Sequence, residues 1–159
     1  MPLSELPPPL EEETGCELPQ MRVAPPGPHS TAAALRLQQV ECPAFSRRRH
    51  RRAEASGADM APIVLSRGLG SNVHDVDGNR YVDLAAGFGS MLLGHRSASV
   101  ARAIEAQSER LVQGLGDVYA ADVKLGLLER LASLHPGVTP QVILAQSGSD
   151  AVTAAIKTA

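Results

Sequence analysis

The chain has 159 residues, with 15 Lys+Arg against 17 Asp+Glu and a net charge of −2; its pI is near 6.2. This balance selects no strongly charged partner, and the length suits one domain. No apolar stretch approaches the roughly 20 residues that cross a bilayer, and the acidic, proline-rich start does not read as a secretory signal. The cytoplasm is therefore expected, with no membrane partner. Cys16 and Cys42 have no CxxC spacing and make no disulfide framework.

Residues 1–60 read as a disordered head. They hold Pro7-Pro8-Pro9, Glu11-Glu12-Glu13, Pro25-Pro26-Gly27-Pro28 and the run Arg47-Arg48-Arg49-His50-Arg51-Arg52. Such a stretch buries too little apolar surface to offset its ordering entropy. About 100 residues remain for a core, enough to fold alone only if the whole domain is present.

From Ile63 the texture changes. Asn72-Val73-His74-Asp75-Val76 and Arg80-Tyr81-Val82-Asp83-Leu84 alternate polar and apolar residues around Asp77-Gly78. That pair suits a type I′ turn, with positive φ at both central positions, and predicts a hairpin. Tyr81 is expected to pack the hairpin onto the core, and His74 to sit at a surface or edge. Ala85-Ala86-Gly87-Phe88-Gly89-Ser90 and Met91-Leu92-Leu93-Gly94-His95 then read as a loop whose backbone passes close to something.

Ser97 reads as an N-cap, followed by Val100, Ala103, Ile104 and Leu111 at helical spacing, with Gly114 and Gly116 ending the pattern. A second helix starts near Asp122 with Val123, Leu127, Leu131 and Leu134 on one stripe. Pro136-Gly137 ends it, and residues 141–145 read as a short buried strand. Next comes the turn Ser147-Gly148-Ser149-Asp150, then a helical pattern through Ala151, Val152, Ala155 and Ile156.

The strand, tight turn, helix order aims free backbone N–H groups and a helix's positive dipole end at one point, which suits a phosphate. The donors would be the Gly148 and Ser149 amides and the Ser149 hydroxyl. Asp150 is expected to cap the helix or brace the loop. Taken alone the turn favours a capping-only reading, because serine, glycine and aspartate serve many strand-to-helix connections.

Four motifs in order decide between the readings. Val76-Asp77-Gly78-Asn79-Arg80-Tyr81-Val82-Asp83-Leu84, Gly94-His95, Leu134-His135-Pro136-Gly137, and the segment from Ser147-Gly148-Ser149-Asp150 to Lys157 together resemble class III aminotransferases, pyridoxal-phosphate enzymes of fold type I. The resemblance runs from about Ala61 to Ala159. It departs from the family at Asp150, where glutamate is usual, and at Ser97-Ala98-Ser99, which replaces a common His-Pro pair.

The resemblance implies an α/β fold: a partial fold type I aminotransferase, with an N-terminal hairpin and helices plus the first strand and helix of the large domain. It implies pyridoxal 5'-phosphate as cofactor, held at Ser147, Gly148 and Ser149, and a substrate entrance at Gly87, Phe88, Gly89 and Ser90. The substrates would be a small-molecule amino donor and a keto or aldehyde acceptor, and the intact enzyme would be a homodimer.

Transamination also needs a lysine to hold the cofactor and move a proton, and an acid on the pyridinium nitrogen. The chain has two lysines. Lys157 lies nine residues past Gly148, roughly 13 Å along a helix, on a polar face with Asp150 and Thr153. Lys124 falls in the first turn of the leucine-striped helix. By the resemblance the catalytic lysine, the ring-stacking aromatic and the pyridinium aspartate all fall beyond Ala159. No catalytic residue is therefore assigned, and an N-terminal fragment, inactive and unstable alone, is expected. It would expose Val142, Ile143 and Leu144 on an unpaired sheet edge.

No metal site is expected at His74 or His95, which lack a partner at ligand spacing; His95 is placed as an orienter of its loop. The arginine run is read as a solvated linker rather than a nucleic-acid site, since no aromatic series or nucleic-acid module accompanies it. Three alternatives stand beside the fragment. They are a product of a broken gene, a small interaction protein using residues 47–52, and a start at Met60, directly before the family-like region.

Overall fold

The computed structural model describes residues 14–116 and 118–159. The chain divides into two units, Met1–Ala103 and Ile104–Ala159. Pro7-Pro8-Pro9 and Glu11-Glu12-Glu13 lie outside the described residues.

The first unit contains α1 (Pro28–Val40), α2 (Pro43–Ser56) and a sheet of β1 (Leu65–Leu69), β2 (Asn72–Asp75) and β3 (Arg80–Val82). Both helices start with proline in the first turn, where the missing N–H costs nothing and φ is already helical. Composition pointed to a head without structure, and the described part, 14–60, differs. The proline pattern there punctuates helix starts, and arginine is itself a good helix former. The segment before α1 is tied down by side chains remote in sequence. Asn72 Oδ1 accepts from Glu17 N at 2.8 Å and Asn72 Nδ2 donates to Glu17 O at 2.9 Å. Asn79 Oδ1 accepts from Arg22 N and Val23 N at 2.7 and 3.0 Å. Gln20 and Arg80 exchange backbone bonds of 2.8–2.9 Å.

The sheet is antiparallel in the order β1-β2-β3. Val73 faces Tyr81 and His74 faces Arg80 across the expected hairpin. The turn is not type I′, because Gly78 is at positive φ (83°) and Asp77 is not. Gly78 N donates to Asp75 O at 3.2 Å and Asp75 N to Asn79 O at 3.1 Å. This is the three-residue hairpin form, a turn followed by one left-handed glycine. Strand β1 carries no alternation the sequence reading detected; its register slips between Leu65 and Arg67, which breaks the period-2 pattern.

The centre of this unit is polar. Val73 is the buried hydrophobic residue among those described, at 7% exposure, beside fully or nearly buried Ser30, Asn72, His74, Asp75 and Asn79. His74, expected at the surface, is thus interior, because β1 covers the strand it sits on. Asp75 is the hub. Its carboxylate accepts from Asp77 N (3.0 Å), Asn79 N (2.8 Å), Asn79 Nδ2 (2.8 Å) and the Tyr81 hydroxyl (2.7 Å). Asp77 caps α1, accepting from His29 N at 2.7 Å and Ser30 N at 2.8 Å. The hairpin tip therefore holds the helix by its unsatisfied N-terminal amides.

Helix α3 (Ala98–Arg110) begins beside Ser97, whose carbonyl accepts from Ala101 N. The second unit contains α4 (Asp122–Leu134) and α5 (Gly148–Thr158). None of its described residues is buried. Val123, Leu127, Leu131 and Leu134 form the expected stripe, yet all are exposed. Residues 141–145 are not a strand; an apolar run becomes one only with a ladder partner, and none of the described residues pairs with it. Ile143 is 68% exposed.

Candidate functional site: the helix α5 turn and the glycine loop

The sequence-predicted cup stands at the start of α5. Ser147 has extended backbone (φ −156°, ψ 165°) and its hydroxyl accepts from Asp150 N at 3.2 Å. Asp150 reaches back, its Oδ2 accepting from Gln146 N at 3.1 Å. This reciprocal arrangement works as a capping box, so Asp150 caps and braces. The Ser147 and Ser149 hydroxyls meet at 3.0 Å, which fixes the Ser149 oxygen at the mouth of the turn. The amides of Gly148 and Ser149 find no protein acceptor among the described residues. A Cβ built on Gly148 would meet nothing within 4 Å.

Two free N–H groups, a hydroxyl and the positive end of a three-turn helix therefore face open space. That donor set fits a phosphate dianion. It contains no general base. Lys124 donates from Nζ to Gly116 O at 3.1 Å, and Lys157 lies in the last turn of α5, at the dipole's negative end.

Gly87, Phe88, Gly89 and Ser90 belong to the other unit. Ala86, Gly87, Phe88 and Gly89 are consecutive at positive φ (44°, 56°, 57° and 88°). For Ala86 and Phe88 this is strained, costing about 1–2 kcal/mol each. The turn is closed by Met91 N to Ala86 O (2.9 Å) and by the Ser90 hydroxyl to Gly87 O (2.7 Å). It presents Leu84, Phe88, Leu92 and Leu93 to solvent.

His95, expected to orient this loop, does so through a partner the sequence reading did not name. Asp83 Oδ1 accepts from Ala85 N and Ala86 N at 3.1 and 2.9 Å, while Oδ2 meets His95 Nε2 at 2.9 Å. His95 is pinned in turn by paired backbone bonds with Gly70 (2.8 and 2.9 Å). Its ring lies so close to Gly68 that a Cβ there would come within 2.7 Å. The His95 bond, with the Ala86 amide, holds the Asp83 carboxyl below its usual 3.8. His95 thus orients the loop through a carboxylate twelve residues upstream. The signal was Asp83 at the end of the second hairpin strand. Among the described residues no group of His, Cys, Asp and Glu suits a metal ion.

The class III aminotransferase family model matches residues 53–159. The chain is 42% identical over 99 residues to the 2'-deamino-2'-hydroxyneamine transaminase of Streptomyces kanamyceticus, covering 62% of this chain and 24% of that enzyme. It is 37% identical over 103 residues to the 2-aminoadipate transaminase of Pseudomonas putida, covering 64% and 25%. Among solved structures it resembles the N-acetylornithine aminotransferase of Stenotrophomonas maltophilia (TM-score 0.57, 31% identity, 66% of this chain and 28% of that one). It also resembles the omega transaminase of Pseudomonas jessenii in complex with PMP (TM-score 0.57, 27% identity, 67% and 23%). The chain spans about a quarter of the length of the curated relatives it matches. A family match over residues 53–159, most of the chain, identifies it as a member of the class III aminotransferases.

Proposed function

We propose that this chain supplies the phosphate-holding part of a pyridoxal-phosphate-dependent transaminase that moves an amino group from an amino donor to a keto or aldehyde acceptor. The observation that carries the reading is the pair of acceptor-free amides at Gly148 and Ser149, on a helix N-terminus in the family's sequence context. Gly148 and Ser149 would grip the phosphate, with Ser147 holding the Ser149 hydroxyl in place. When bound, the cofactor's ring supplies the electron sink that amino exchange requires. Gly87, Phe88, Gly89 and Ser90 would border the substrate entrance, where exposed Phe88 gives an apolar wall and the Asp83–His95 clasp fixes its position.

These 159 residues are proposed to be inactive alone, because Lys157 lies at the far end of α5 and Lys124 Nζ is bonded to Gly116 O. The exposed faces of α4 and α5 are read as surfaces that further aminotransferase polypeptide covers, in a homodimeric enzyme of the cytoplasm. The exposed thiols of Cys16 and Cys42 suit a reducing compartment.

The test is a titration of the purified chain with pyridoxal phosphate, followed by absorbance, together with an assay of amino transfer to a keto acid. Binding is expected without turnover. The double variant Gly148→Pro, Ser149→Ala should weaken binding at least about tenfold. Proline at the first helical position removes the amide while keeping the helix, and the extended Ser147 suits a following proline. Sustained turnover by the chain alone would overturn the inactivity; equal binding by the variant would overturn the cup.

A further inference from the structure

We propose that the outward face of α2 is a docking surface for the phosphate backbone of duplex DNA, independent of base sequence. The run Arg47-Arg48-Arg49-His50-Arg51-Arg52, expected as a solvated linker, lies within this helix. At about 3.6 residues per turn, Ser46, Arg49 and Ala53 share one side, and all three are half-buried. Arg47, Arg48, Arg51 and Arg52 fall on the opposite side, and all four are exposed.

The surplus of positive charge survives a full count. Residues 28–59 hold six arginines against Glu41, Glu54 and Asp59, a net of +3 with every carboxylate ionised and the histidines neutral. Glu41 is taken by Arg49, and Glu54, at the rim of the face, lies 3.3 Å from His50. Among the described residues no hydrogen bond or ion pair holds the guanidinium of Arg47, Arg48, Arg51 or Arg52. Arg47 with Arg51, and Arg48 with Arg52, stand one turn apart, where like charges repel. Helical order keeps these charges together, and bound phosphates would relieve the repulsion.

The rest of the helix narrows the partner. Two rows of guanidiniums on the two flanks of one helix match the phosphates on either side of a DNA major groove, which at about 12 Å admits a helix. Beside the first row an open groove of ≈ 490 Å³ is lined by Gln38, Ser46, Arg47, His50 and Arg51, with no carboxylate among them. Phe45 is the single aromatic residue of α2, which leaves backbone contacts rather than base stacking. An interfacial membrane helix needs a broad apolar face; between its arginines α2 offers only Ala44 and Ala55, with Phe45 at the edge. The family match begins at residue 53, after the last of these arginines. The face shares nothing with the α5 turn and stands whether or not the chain binds pyridoxal phosphate.

The experiment is fluorescence anisotropy of a labelled duplex of about 20 base pairs, titrated with the whole chain from about 25 mM salt upward. A Kd below about 100 μM is expected at the lowest salt, with log K falling against log salt at a slope of about −3 to −4, as four phosphate contacts require. Arg47→Gln with Arg51→Gln should weaken binding at least about tenfold and flatten the slope by about 2. Glutamine is a good helix former, so circular dichroism should be unchanged. Arg102→Gln with Arg110→Gln removes the same charge from α3 and should bind like the parent. Absence of binding at the lowest salt, a slope indifferent to the α2 pair, or equal loss in the α3 pair would overturn the proposal. So would tighter binding to a single strand of the same length or to phosphatidylglycerol vesicles.

Discussion

Replacing Asp75 by Asn removes one charge and almost no volume, so it isolates the hub of the hairpin. The carboxylate accepts four hydrogen bonds of 2.7–3.0 Å, two of them from Asn79, which is fully buried. An asparagine whose oxygen serves the two backbone amides turns its own NH₂ toward Asn79 Nδ2 and Tyr81. The tyrosine hydroxyl can rotate to accept, but the Asn79 amide meets another donor. One buried donor left unsatisfied costs about 1–3 kcal/mol, and two bonds that lose their charge assistance add about 1 kcal/mol, so roughly 2–4 kcal/mol is expected. Because the loss is local, amide hydrogen exchange across β2 and β3 is the suitable assay; protection should fall by roughly 30- to 800-fold. A change under about fivefold, which is under 1 kcal/mol, would refute the hub. The same variant has an optical readout. Burial, then the Asp75 hydrogen bond, pushes Tyr81 up from 10.0 to about 12. In the variant the burial contribution stays, so the midpoint should fall only part of the way back. Since the folded value is raised, the Tyr81 contribution to stability is complete below pH 10 and is lost as pH rises towards about 12.

Three further outcomes follow from the same geometry. Asp77→Ala uncaps α1 and should cost about 1–2 kcal/mol, read as faster exchange of the first-turn amides His29 and Ser30. Burial raises the Asp77 carboxyl, but hydrogen bonds from Ser30 and His29 outweigh it and leave it below 3.8; the cap's contribution is present above that value and is lost as pH falls through the lowered one. Asp83→Asn should free the strained turn, so that Ala85 and Ala86 exchange faster while the β2–β3 amides do not change; equal protection at Ala86 would contradict the clasp. Gly70→Ala puts a Cβ 2.5 Å from Gly15 O at a φ of 54°. It should destabilise by about 2 kcal/mol or more, seen as a lower melting temperature.

What the sequence made legible was local. The Asp77-Gly78 turn, the α4 stripe and the capping role of Asp150 each depend on residues within one or two turns, and each is found where spacing put it. Apart from the type of the Asp77-Gly78 turn, the misses are non-local. The strand expected at 141–145 needs a partner that periodicity within the segment does not supply. Structure in 14–60 arises because Asn72, Asn79 and Asp77, some 50 residues downstream, satisfy its backbone groups. The interior position of His74 follows from β1, a strand hidden by its own bulge. Of the candidate sites, the α5 turn was readable because one contiguous tetrapeptide builds it. Of the Asp83–His95 clasp only the His95 half was readable, because its partner lies twelve residues upstream on another segment.

The central claim is that Gly148 and Ser149 hold a phosphate. The most direct measurement is an amide NMR titration of the labelled chain with pyridoxal phosphate, compared with pyridoxal, which lacks the phosphate. The account predicts that the Gly148 and Ser149 resonances move most with pyridoxal phosphate and stay in place with pyridoxal. Unmoved resonances at both residues in saturating pyridoxal phosphate would contradict it.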